Sequence, residues 1–175
     1  MELDAFLRPL YQDLDGHSRA EEIDRIAKIA RRIHHPSSPG DARSFELLLR
    51  FHRLGNWLDK VGNLTRTALA VEDVTESDLR QTAASIRRLE NPVTEAERAV
   101  AAAVVIDGAG VRGLAEHFAR ARREGSSQMD VVRSVLSDVA VPEWFPPEAE
   151  EWLHARREAR REVCKRLLEE LSGDA

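Results

Sequence analysis

Cys164 is the only cysteine in this chain of 175 residues. A lone thiol excludes an intrachain disulfide and a zinc site made of several cysteines. Its helical surroundings, beside Leu167 and Leu168, predict a small core side chain rather than a nucleophile. No serine or cysteine stands in an activated setting, which argues against covalent catalysis. No stretch approaches the roughly 20 apolar residues of a membrane span, so no membrane partner is expected. The opening residues MELDAFLRPL carry early acids where a secretory signal needs a basic region, and the expected location is cytoplasmic. Basic residues are not in excess: 26 Lys and Arg face 31 Asp and Glu, for a net charge of −5. Tracking a phosphate backbone needs the opposite balance, so no nucleic-acid partner is expected. The best candidate for a local basic face is Arg156, Arg157, Arg160, Arg161 and Lys165.

Alternation of period two is also missing, as is any fixed internal repeat. Helical signals are abundant instead. Leu3, Phe6, Leu7, Leu10 and Leu14 form one stripe over residues 1–14, with Pro9 a candidate kink. Ser18 and Glu21 have capping-box spacing ahead of Ile23, Ile26, Ala27, Ala30 and Ile33. That helix is predicted to stop before His35-Pro36, and Pro36 to Gly40 reads as a loop. Asp41 or Ser44 opens the next helix, through Leu47, Leu48 and Phe51, until Gly55 and Gly62 interrupt it. Thr75 with Asp78 and Thr94 with Glu97 form two further boxes, the second leading into the alanine- and valine-rich run 99–106. Helices over 111–123, 128–139 and 147–171 complete the pattern, the last favoured by Pro146 and Pro147 at its start. Its stripe of Trp152, Ala155, Ala159, Val163, Leu167 and Leu171 is expected to pack on its own domain. A homodimer seam through this C-terminal helix is the alternative use. The expected fold is all-α, a single-domain helical bundle over 1–175 whose C-terminal helices, about 128–171, pack on the rest.

Gly108, Gly110 and Gly113 satisfy the G-x-G-x-x-G pattern of dinucleotide-binding folds. There the glycines follow a strand and let the backbone approach a pyrophosphate. Here a capping box and four alanines launch the preceding segment as a helix, and Asp107 would set a negative charge beside the phosphates. A tight helix–helix junction is the preferred reading. Trp57 with Leu58, and Trp144 with Phe145, are likewise assigned to packing rather than to an exposed aromatic platform.

The histidines are His17, His34, His35, His52, His117 and His154. His34 and His35 end a helix, where a partly protonated imidazole suits the dipole. His117 and His154 stand on charged helices with no ligand pattern nearby. His52 differs, because it lies in LLLRFHRLGNWLDK after the helix over 19–34 and a short loop. That order resembles the HD-domain superfamily of metal-dependent phosphohydrolases. In that family a helix carries H-x-x-R-V, a second helix ends in a His-Asp pair followed by glycine, and a distal aspartate completes a metal site. The resemblance spans about residues 15–120 and implies an HD-domain-like bundle. Glu22 occupies the position of the first histidine, three residues before Arg25-Ile26. His17 matches an upstream histidine that some members have. His52 matches the histidine of the pair, Arg53 replaces its aspartate, and Asp107 stands near the distal aspartate.

The resemblance therefore implies a degenerate metal site of Glu22, His52 and Asp107, with His17 as an alternative ligand. A guanidinium cannot ligate a cation and repels it. The expected function is that of a diverged HD-like protein without full metal chemistry, serving as a small-ligand-binding or interaction module. Arg53 and Arg50, with Arg87 and Arg88 across the bundle, are then candidates for holding an anion such as a small phosphorylated ligand by forked hydrogen bonds. The surface alternative pairs Arg53 with Asp59. Two other functions remain open. One is an active phosphohydrolase on a nucleotide or other phosphate ester, its cofactor a divalent metal such as Mn, Fe, Ni, Zn or Mg. The other is a helical oligomerisation or scaffold protein.

Overall fold

The computed structural model describes residues 3–12, 20–58, 69, 73–137 and 140–172. Among these residues all regular structure is helical and no strand occurs. None of the described helices is long and apolar enough to cross a membrane. Residue contacts divide the chain into two compact units, Met1–Ala103 and Val104–Ala175. The division falls inside the region of HD-domain resemblance.

In the first unit, α1 (Leu3–Gln12) contains Pro9 and turns Leu7 and Tyr11 into the core. The Tyr11 hydroxyl donates to the Arg50 carbonyl at 2.7 Å and pins this helix to α3. Helix α2 (Ala20–Ile33) buries Ile23, Ile26, Ala27 and Ala30, spaced as one face of a 3.6-residue helix. It stops at Ile33, short of His35-Pro36 as the sequence predicts. The Ser18 cap proposed for it lies outside the described residues.

Helix α3 (Pro39–Phe51) begins earlier than Asp41 or Ser44. Ser38 is its N-cap, the hydroxyl accepting the Asp41 amide at 3.2 Å. Pro39 takes the first helical position, where its missing N–H costs nothing. Five of its side chains are buried, Phe45, Leu47, Leu48, Leu49 and Phe51, so α3 is the centre of this unit. His34, directly after α2, lies edge-on to Phe45 at a 4.8 Å centroid distance. Its Nε2 is 3.3 Å from the Asp41 carboxylate. It is a structural residue joining α2 to α3.

The short helix α4 (Gly55–Leu58) follows, with Trp57 stacked on Phe51 at 6.3 Å. A Cβ on Gly55 would come 3.0 Å from the Ile86 side chain, so glycine lets this turn sit against the next helix. Trp57 and Leu58 thus pack into the core, as preferred, while Asp59 and Gly62 lie outside the described residues. Helix α5 (Glu76–Arg87) has the full Thr75–Asp78 capping box. Asp78 also receives Arg43 of α3 at 2.9 Å, which holds its carboxyl down at about 2.

Helix α6 (Glu95–Ala109) opens on the third box, with reciprocal bonds of 3.2 Å between Thr94 and Glu97. Glu97 is fully buried, and its carboxylate takes in the Val93 amide and the Arg88 guanidinium as well. Burial works to raise its pKa. Arg88 and the amides overcome that and hold it at about 2.

The second unit contains α7 (Val111–Glu124), α8 (Gln128–Leu136) and α9 (Glu150–Ser172), entered through a 3-10 turn at Pro147–Ala149. Leu114, Ala121, Val131, Val132, Val135 and Cys164 form its core, so Cys164 is the packed thiol expected from its neighbours. Gly125 ends α7 in the left-handed region at φ 74°, and its amide returns to the Ala121 carbonyl. Phe145 is buried, with Trp144 tilted against it at 6.0 Å.

The face assigned to α9 holds only in part: Val163 and Leu167 pack on this core as expected, while other positions differ. Leu153 and Cys164 are its buried residues, while Ala155 and Ala159 are exposed. The buried line runs through half-buried Arg160 instead. The methylenes of an arginine can lie against apolar neighbours, and counting apolar letters misses such a stripe.

The three glycines serve the junction of α6 and α7. Gly108 closes α6, Gly110 is the N-cap of α7, and Gly113 lies in its first turn. A Cβ built on Gly113 would fall 1.8 Å from the Gly108 carbonyl oxygen. The glycine brings helix backbone onto helix backbone, and no strand precedes it.

Candidate functional site

Helix α3 ends at Phe51, and His52 caps it with its amide on the Leu48 carbonyl. The next amide bonds tighten the chain into a turn, Leu54 N–H reaching Phe51 at 2.7 Å. Leu54 is buried by this turn while Arg53 is left at the edge. There the Arg53 guanidinium donates to the Glu22 carboxylate in the first turn of α2. The two positions that depart from the HD-domain pattern are therefore bonded to each other. The Asp59 alternative lies outside the described residues.

His52 is buried behind this pair. Its Nδ1 stands 2.8 Å from the Leu49 carbonyl, which can only accept, so Nδ1 carries the proton. The neutral ring then keeps a lone pair on Nε2, which is buried with no hydrogen-bond partner. Burial pushes the imidazole down to about 4. The Leu49 bond opposes that shift, Arg53 adds to it, and Glu22 works against it.

A depressed pKa means that the unfolded chain binds a proton the native chain refuses. Stability is thus intact above about 6.5 and falls as acid approaches pH 4. At about 1.36 kcal/mol per tenfold change in proton affinity, the loss reaches roughly 3 kcal/mol. Urea unfolding between pH 4 and 7 is expected to show this slope, and His52→Gln to flatten it. An unchanged slope in the variant would assign the titration elsewhere. Asp78 and Glu97, held near 2, begin to lose their contribution below about pH 5 and add to the slope at its acid end, so the comparison with His52→Gln isolates the histidine.

The donor set fits a divalent ion in one respect and fails in another. His52 presents the tautomer that ligates metals, with Nδ1–H anchored on a carbonyl. Glu22, however, is bonded to a permanent cation, and a metal at its oxygen would meet that charge at close range. The repulsion is several kcal/mol even at an effective dielectric constant of about 20. Among the described residues no group of three or more His, Cys, Asp or Glu side chains is assembled to hold a metal ion. As they stand, these residues do not fit a divalent cation. Asp107 belongs to the second unit, buried on α6 and not without a partner. His17 lies outside the described residues, and His35, His117 and His154 are exposed.

The arginines expected to hold an anion separate. Arg53 is bonded to Glu22, and Arg88 is committed to Glu97. Arg50 instead lines a cleft of about 230 Å³ between α1, α2 and α3, together with Arg8, Lys28 and Arg31. Sequence reasoning missed this cleft, because its cations come from three helices with no shared motif. It also missed the Arg88–Glu97 pair; the capping box flags Glu97, yet nothing local names the arginine. Compared with protein-family models, curated proteins and solved structures, the chain has no match in any of the three.

Proposed function

We propose that the protein is a diverged HD-domain-like module that works without metal-dependent catalysis and binds a small ligand or partner. The observation that carries this reading is the Glu22–Arg53 ion pair. On the resemblance, Glu22 and Arg53 stand where the family places a histidine and an aspartate around a cation. A carboxylate and a guanidinium satisfy each other directly, so the tie between α2 and the end of α3 no longer needs an ion. Glu22 is only 13% exposed and Arg53 35%, which makes the bond more than a solvated surface contact. His52 keeps its place and its tautomer beside the pair, a residue of ligand type without the neighbouring carboxylate that would complete it.

The test is metal content. Protein stripped by chelation, then dialysed against Mn, Fe, Ni, Zn and Mg in turn, is expected to retain less than about 0.1 ion per chain. Near-stoichiometric metal, lost together with phosphatase activity on His52→Ala, would instead favour the phosphohydrolase reading.

A further inference from the structure

We infer that the cleft between α1, α2 and α3 is a binding site for a small phosphate monoester. It concentrates cations in a chain of net charge −5. Arg8 comes from α1, Lys28 and Arg31 from α2, and Arg50 from the last turn of α3. Among the described residues lining it the one carboxylate is Asp24, which stands 4.0 Å from Arg8 with both side chains 62% exposed. Such a pair is weak, and an incoming dianion competes with it on good terms. Arg31 is fixed by a bidentate bond to Glu46, at 2.9 and 2.7 Å, which holds its guanidinium in place at the cleft wall.

The floor is apolar. Ile23, Ala27 and Leu49 are buried beneath the cations. Tyr11 completes the floor with its hydroxyl proton already given to the Arg50 carbonyl. A low-dielectric wall under several positive charges strengthens their field at the mouth. At about 230 Å³ the cleft is smaller than the ~300–1,000 Å³ of sites for drug-sized ligands. A phosphate group with a short aliphatic tail matches both its size and its two-sided chemistry. Cations meet the phosphate, and the aliphatic floor meets the tail.

This inference does not depend on the fate of the metal site. Glu22 and Arg31 lie about 180° apart around α2, so the cleft and the Glu22–Arg53 bond are on opposite sides of that helix. Titration calorimetry of the full chain with n-butyl phosphate at low salt is expected to give a Kd below about 1 mM. Binding should weaken at least about tenfold when salt is raised to about 0.3 M. Lys28→Glu and Arg8→Glu, both at exposed positions, are each expected to cost about tenfold or more in Kd. Arg80→Glu, an equal charge change at an exposed position on α5, should stay within about twofold. No binding at about 10 mM, or equal losses in all three variants, would overturn the site. Inorganic phosphate or sulfate binding as tightly as the ester would overturn the monoester assignment. Metal content is unaffected by any of these results, so failure here is separate from failure of the metal-free reading.

Discussion

The double substitution Glu22→His with Arg53→Asp is expected to endow this protein with a divalent-metal site. Each change acts on a stated physical term. Removing the guanidinium abolishes the repulsion that a cation meets at the Glu22 carboxylate. Placing a carboxylate at position 53 converts that repulsion into attraction, and an imidazole at position 22 adds a second nitrogen ligand. His52 is ready, since its Nδ1 proton rests on the Leu49 carbonyl and its Nε2 is unbonded. A swing of about 4 kcal/mol corresponds to a thousandfold in affinity, and at least that gain over the parent is expected for Mn or Zn. Calorimetry and metal analysis after gel filtration read it directly. His52→Ala in the same background should remove the ion. A folded double variant that takes up no metal would remove the HD-domain ancestry on which the proposed function rests. The single change Arg53→Asp is expected to make the metal-free protein less stable than either parent or double variant, because two carboxylates would then face each other.

Gly113→Ala is expected to destabilise the second unit by at least about 3 kcal/mol, against the trend of helix propensity. In an ordinary helix interior the exchange would stabilise by up to about 1 kcal/mol. Here the new methyl group would lie 1.8 Å from the Gly108 carbonyl oxygen and 2.6 Å from its carbon. The obstacle is backbone, not the end of a flexible side chain, so α6 and α7 must separate locally. Gly108→Ala supplies the control: a Cβ there meets nothing within 4 Å, and a small stabilisation is expected. Thermal melts of the two variants should move in opposite directions. Parallel shifts would mean that the junction is not as tight as its geometry indicates.

The glycine motif shows why a pattern needs its context. G-x-G-x-x-G names residues that permit close approach and leaves open what approaches. The Thr94–Glu97 box decides that a helix precedes it, and the structure supplies the partner, the backbone of that same helix. Helix α9 shows the reverse limit. Its letters place Ala155 and Ala159 on the buried side, yet the packed line runs through Leu153, Arg160 and Cys164, with Val163 and Leu167 packing as expected. Arginine carries enough methylene to lie against a core, and a binary reading counts it as polar. At α3 the signal was present in Ser38-Pro39, a cap followed by a first-turn proline, but Asp41 offered a competing start.

From its amino acids alone, this chain was bound to be helical. Capping boxes at Thr75 and Thr94, apolar residues three and four apart, and the absence of alternating runs are local properties. They act within one or two turns and survive without knowledge of distant partners. The expectation for Glu22, His52 and Arg53 came the same way, from the order of short motifs along the chain. What they do was decided in three dimensions. Arg53 reaches across 31 positions to Glu22, Arg88 turns inward to Glu97, and four cations from three helices come to share one cleft. Charge is long-ranged and side chains are long, so the partner of an arginine is chosen by how helices pack and not by its neighbours along the chain.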